Sequence, residues 1–162
     1  MPALSFDANV SLLGEGGSVK MQGGASLNTA QTWFAGSLVW TVAATGRLVK
    51  SVSANTAGAR FMGICSKRQT TTATDQPVEF FRGGVWVIPM TSTGYTVADM
   101  GKFVGFLAAV VGGYTDNPAD LVVTALSNGD HVVGMIVGAD ASSLTIDITL
   151  GGLNAATAGL LL

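Results

Sequence analysis

Charged side chains are scarce in this chain. Eight basic and ten acidic residues amount to 11% of its 162 residues, whereas ordinary soluble domains carry roughly 25%. A monomer normally keeps its contiguous apolar patches small, so a surface this poor in charge indicates a protein that packs against copies of itself or against a larger assembly. The net charge of −2 provides no basic face, which argues against nucleic acid as a partner.

Cysteine and histidine are nearly absent as well. Cys65 and His131 are the single examples of their types, so the sequence excludes an intrachain disulfide and a zinc site with four Cys or His ligands. Four oxygen-bearing residues cluster between 116 and 130, without the spacing of a known calcium loop: Asp116, Asn117, Asp120 and Asp130. We therefore predict neither a metal nor a cofactor.

Signatures of catalysis are missing. His131 follows the turn at 128–130, and neighbours in a turn seldom align nucleophile, base and orienting group, so an exposed turn histidine is the better interpretation. The chain lacks a Gly-x-Ser-x-Gly elbow, and its glycine-rich segment 14–20 lacks the Gly-Lys-Ser/Thr ending of a phosphate loop. Glu15 and Glu79, its only glutamates, do not form an evident glycosidase pair. The sequence predicts a protein that is not an enzyme.

Long apolar runs are also lacking. The longest uncharged apolar stretch, 103–111, is about half of the roughly 20 residues that a membrane-spanning helix requires. The first residues, Met-Pro-Ala, do not form the basic and apolar regions of a secretory signal. We expect no membrane association and synthesis in a reducing cytoplasm.

Short β-strands dominate what is present. From Trp33 onward, runs rich in Val, Ile, Phe, Trp and Thr alternate with Gly, Asn, Asp and Ser, as in antiparallel sheets. Helical periodicity is nearly absent, apart from one short turn that Thr96 could cap. The fold class is thus all-β, with a small antiparallel β-barrel or β-tulip-like body at 33–150. Nine strands are predicted, at 37–42, 47–52, 59–66, 76–81, 84–90, 102–108, 121–126, 131–137 and 143–150.

The two ends differ from this body. Glycines interrupt every apolar run in residues 1–32, which favours an extended N-terminal arm. Within it, residues 8–13 could add a strand to a neighbour's sheet, and a disordered leader is the alternative. The tail at 151–162 has no charge and ends in three leucines, which either fill a groove on a neighbour, at about 2 kcal/mol each, or fold back onto the chain's own core.

Interface candidates follow from these segments. Tryptophan is enriched at interface centres, so Trp33 and Phe34, at the junction between arm and body, are included. A β-barrel core would also use such residues. The predicted interface residues are Val10, Leu12, Leu13, Trp33, Phe34, Leu160, Leu161 and Leu162.

A sequence echo runs through the body. Gly-Ser-Leu-Val at 36–39 leads to Phe-Met-Gly-Ile at 61–64, and Gly-Lys-Phe-Val at 101–104 leads to Val-Gly-Met-Ile at 133–136. Each echo precedes an alternating segment, at 78–81 and 144–148. A duplicated hairpin unit that closes a small barrel would explain the echo, since closure removes exposed sheet edges. Coincidence among short β motifs is the alternative.

These motifs, together with Val-Glu-Phe-Phe-Arg-Gly-Gly-Val-Trp-Val-Ile-Pro at 78–89, resemble the capsid decoration, or cement, proteins of tailed bacteriophages. The resemblance covers residues 34–150 and rests on the order and spacing of loose motifs. It implies a β-barrel or β-tulip body, a homotrimer on the outer surface of an icosahedral head, and an arm on the major capsid protein. The implied function is to bridge capsid proteins and stabilise the shell, in a virion assembled in the host cytoplasm.

Two other classes fit the composition. One is a glycan-binding or adhesin module, which would use exposed tryptophans to stack on sugars. The other is a subunit of a different β-rich assembly, such as a tail component, in which neutral faces would pack between copies.

Overall fold

The structure is a computed structural model. It describes residues 10–12, 18–22, 31–41, 46–50, 60–72, 76–90, 96–106, 117–120, 131–140, 142–149 and 151. Over these residues the chain forms twelve β-strands and two short 3₁₀ turns, Val97–Asp99 and Pro118–Asp120, and no α-helix. The strands are β1 Ser11–Leu12, β2 Ser18–Gln22, β3 Gln31–Trp33, β4 Leu38–Thr41, β5 Leu48–Val49, β6 Arg60–Cys65, β7 Gln69–Thr71, β8 Pro77–Phe81, β9 Val85–Pro89, β10 Phe103–Phe106, β11 His131–Ala139 and β12 Ser143–Asp147.

The all-β prediction is confirmed. Eight of the nine predicted strands are present, each within three residues at either end, and the ninth, at 121–126, lies outside the described residues. The turn at Val97–Asp99 is confirmed too, because the Thr96 hydroxyl accepts from the Ala98 N–H at 3.2 Å and Asp99 Oδ2 accepts from the Thr96 N–H at 2.8 Å. This is a capping box.

The strands form three antiparallel sheets. Sheet I has the order β2-β8-β6-β4-β5, sheet II has the order β1-β9-β12-β11-β10, and sheet III consists of β3 and β7. One sheet is curled into a half-barrel, consistent with a small barrel-like body. The described parts of the predicted N-terminal arm pair with the chain's own sheets, β1 with β9, β2 with β8 and β3 with β7.

Two cores hold these layers together. The main core lies between sheets I and II, and Trp40 and Phe61 of sheet I meet in it at 5.7 Å between ring centroids. A smaller core lies on the other side of sheet I and includes Trp33 of sheet III, Val78 and Phe80. Sheet I is therefore buried on both faces, which explains why strand β4 is apolar at consecutive positions rather than alternating.

The echo in the sequence corresponds to two equivalent structural units. Strands β2, β4, β6 and β8 form the first unit, and β9, β10, β11 and β12 repeat it in the same chain order and the same spatial order. The registers agree as well. Val39 pairs with Gly63 beside a bulge, and Val104 pairs with Gly134 beside an equivalent bulge.

The turns that start β4 and β10 repeat in the same way. Gly36 and Gly101 have φ of 80° and 82°, a region that glycine adopts without strain. The carbonyls of Phe34 and Asp99, each two residues before its glycine, accept from the N–H one residue after it, both at 3.1 Å. Because register, bulge and turn all recur, coincidence does not explain the echo.

Candidate interaction surface

Trp33 is not a surface residue. Its side chain is fully buried in the smaller core, between sheets I and III. Trp33 therefore has no exposed side-chain surface with which to contact a partner. Pairing of β3 with β7 brings Trp33 under cover, and the sequence carries no signal for the short polar strand β7.

Phe34 lies against two cations. The Lys50 ammonium is 5.0 Å from the centroid of its ring, and the Arg68 guanidinium carbon is 5.2 Å from it. Such contacts are attractive because the ring face carries negative charge. Only 8% of Phe34 is exposed, so the aromatic surface that was expected to meet a partner is covered by side chains of the same chain.

The remaining predicted interface residues divide into two groups. Val10 is half-buried against the main core, and Leu12 is 36% exposed at the edge of sheet II. Both residues thus lie beside the chain's own strand β9 through the pairing of β1. The other four, Leu13, Leu160, Leu161 and Leu162, lie outside the described residues.

The outer face of sheet II carries apolar residues that the sequence analysis did not select. Trp86, Ile88, Leu144 and Ile146 enter the main core, so their neighbours along β9 and β12 point to the other side. A cross-strand row on that side follows from the pairings Val85 with Asp147, Asp147 with Met135, and Met135 with Phe103. We call the following set the outer face: Val85, Val87, Phe103, Met135, Thr145 and Asp147.

Further apolar side chains are exposed near β11. Val97 and Met100, at the 3₁₀ turn, are 73% and 52% exposed, and Val137 of β11 is 36% exposed. The Gly101 N–H donates to the Ile136 carbonyl at 2.8 Å, which holds this turn against β11. Sequence reasoning missed these residues because tertiary packing sets their exposure, and local residue patterns do not show it.

A polar cluster at the end of β6 has a structural role. The Gln69 side chain donates to the Glu79 carbonyl at 2.9 Å and accepts from the Glu79 N–H at 3.1 Å. Its amide thus replaces a neighbouring strand at the point where β6 ends. The Glu79 carboxylate in turn accepts from Ser66 at 3.2 Å and pairs with Lys67 at 3.3 Å.

The β11–β12 turn contains a tightly hydrogen-bonded carboxylate. Asp140 accepts from the N–H groups of Ser142 and Ser143, both at 2.7 Å, and from their hydroxyls at 3.1 and 2.8 Å. The Ser142 backbone N–H, followed by the Ser143 hydroxyl and N–H, lowers the pKa of Asp140 to about 2. Asp99 follows the same rule, because hydrogen bonds from Lys102 and from the Thr96 backbone lower its pKa.

Neither a metal cluster nor a membrane helix is found in the part of the chain that the structure describes. No group of three or more His, Cys, Asp or Glu side chains is placed to hold a metal ion there. Across the same residues, no helix is long and apolar enough to span a bilayer. Asn117 and Asp120 of the acidic loop fall at the second 3₁₀ turn, where the Asn117 side chain accepts from the Ala119 N–H at 3.1 Å.

Comparison with known proteins gives no family assignment. No protein-family model matches the sequence, and no curated protein matches it.

Proposed function

We propose that this protein is a structural virion protein that binds the outer surface of a tailed-phage head as a homotrimer. In this function it bridges neighbouring major capsid proteins and stabilises the shell. The observation that carries the proposal is the combination of 11% charged residues with an outer sheet face on which apolar side chains predominate. Such a surface is satisfied by packing against other protein rather than by water.

The motifs behind the resemblance support the proposal. They coincide with the duplicated hairpins, since Val39 and Gly63 belong to the first unit and Val104 and Gly134 to the second. A rigid β body suits a bridging role because weak contacts become strong when one trimer attaches at several points. Catalysis is not required, and we propose none.

Binding to heads tests the function. Purified protein is mixed with expanded, undecorated phage heads, and bound copies per head and the temperature of head rupture are measured. We expect saturable binding with a fixed stoichiometry and a higher rupture temperature. An unrelated β protein of similar size serves as the control. Absence of binding to any such head would reject the proposal.

A tail component is the second candidate, because the same apolar face would suit packing between copies in a ring or tube. Electron microscopy of the isolated protein distinguishes the tail component from the head protein, since rings or tubes without added heads would favour the tail component.

The glycan-binding alternative loses its main support. All three tryptophans are buried, with exposed fractions of 0% for Trp33, 0% for Trp40 and 4% for Trp86, so none offers a ring for a sugar.

A further inference from the structure

We propose that the outer face of sheet II is the surface through which this protein binds a second copy of itself. The inference deepens the proposed function, because it names the surface that forms the homotrimer. Two observations carry it, which are the residue types on the face and its equivalent in the duplicated unit.

The residue types on this face are only partly those of a solvated sheet. An antiparallel sheet with one side in water normally alternates apolar residues inside with polar residues outside. On β12 the outward positions are the polar Ser143, Thr145 and Asp147, but on β9 they are Val85, Val87 and Pro89. Met135 pairs with Phe103 across β11 and β10. Asp147 is the one charged residue of the outer face, and its carboxylate accepts from the Thr149 N–H at 2.9 Å, so it is held within its own turn.

The duplication shows what such a face does. In the first unit, Ile64 pairs with Phe81 and Leu38 pairs with Ile64. The second unit has Met135 paired with Asp147 and Phe103 paired with Met135 at the same positions. The row Phe81, Ile64 and Leu38 packs into the main core against sheet II.

The two units therefore stack in the same direction. The face that sheet I turns toward sheet II is equivalent to the face that sheet II turns outward. Equivalent positions are fully buried in one unit, as at Leu38 and Ile64, and only half-buried in the other, as at Phe103 and Met135. In the part of the chain that the structure describes, the second unit thus repeats a sheet-packing face with no further sheet against it.

A second copy of this chain is the partner that these observations favour. In a closed trimer each contact is heterologous, so the outer face of one copy packs against a different surface of the next copy. A net charge of −2 opposes association of copies only weakly.

A charge placed on the face tests the inference. We compare the wild type with Val87→Lys and with Thr70→Lys by sedimentation velocity of the isolated protein, without heads. Val87 lies on the outer face, whereas Thr70 is an exposed residue of β7, on the far side of sheet I. We expect an oligomer for the wild type and for Thr70→Lys, and a monomer for Val87→Lys.

A conservative variant distinguishes loss of the interface from loss of the fold. Val87→Thr keeps the β-branched shape, and we expect about tenfold weaker association from the buried hydroxyl with unchanged circular dichroism. A monomeric wild type at tens of micromolar, or unchanged association of both Val87 variants, would overturn the inference.

Head binding is measured separately. If the wild type forms an oligomer that does not bind heads, the interface proposed here stands and the proposed function is rejected. If the wild type is a monomer that binds heads, this interface is rejected and head binding stands.

Discussion

Two glycines in the bulged strands show how single residues fix this fold. A Cβ atom on Gly134 would come within 2.6 Å of the Asp147 carbonyl oxygen, and a Cβ on Gly63 would overlap the Phe81 carbonyl oxygen. Asp147 and Phe81 occupy equivalent positions in the two units. Both units thus use a glycine where a neighbouring backbone passes closest, beside the bulge that bends each sheet.

Gly134→Ala is expected to destabilise the protein by about 3 kcal/mol, because the new methyl group meets a backbone carbonyl that has little room to move. Gly46→Ala is the matched control. Gly46 has a φ of 65° but nothing within 4 Å of the new methyl group, so only backbone strain opposes the substitution and we expect a cost of about 1 kcal/mol. Urea unfolding measures both, and equal costs would contradict the close approach at Gly134.

Asp140 gives a prediction for pH. Its pKa is lowered from 3.8 to about 2 in the folded protein, so the carboxylate form is favoured by folding. Its contribution to stability is therefore present above the unfolded pKa and is lost as the pH falls from about 4 toward about 2. In the Asp140→Asn variant, the free energy of unfolding should no longer fall between about pH 4 and about pH 2 because of this group. NMR titration of the Asp140 carboxyl carbon measures the pKa directly, and a midpoint near 4 would refute the assignment.

At the scale of elements, the sequence predicted eight strands of the body because apolar alternation and turn residues are local signals. It missed β2 (Ser18–Gln22), which falls in the predicted arm, and it missed β3 and the polar strand β7 (Gln69–Thr71), which pair with each other. The location of Trp33 depends on that pairing, so the sequence did not show that this side chain is buried. The Thr96 turn was predictable because a capping hydroxyl and an acidic residue three positions later form a local signal.

The end of β6 provides a prediction at this scale. Gln69→Leu removes both hydrogen bonds to the Glu79 backbone, and the Glu79 N–H loses the side-chain oxygen to which it donates. We expect a loss of about 2 kcal/mol. Gln76→Leu is the control, because Gln76 bonds to Thr72 in an exposed turn, and its cost should stay below about 1 kcal/mol. If thermal unfolding shows similar losses for both variants, the Gln69 amide does not replace a strand.

For the whole molecule, the main core joins both sheets and should make unfolding cooperative. Ile146 is fully buried in that core, so Ile146→Ala should cost about 3 kcal/mol. Val97→Ala, at a position that is 73% exposed, should change stability by less than about 0.5 kcal/mol. We expect tryptophan fluorescence and far-UV circular dichroism to report one coincident transition in each variant. Two separated transitions would show that the sheets unfold independently.

The sequence by itself determined the all-β class, most strand positions and the duplicated motifs, since each depends on residues close together in the chain. Tertiary structure decided which faces are covered. Met135 and Ile64 occupy equivalent positions in the two units, yet one is half-exposed and the other fully buried. The reason is physical, because burial depends on which sheet packs against a residue, and residue type does not encode that neighbour.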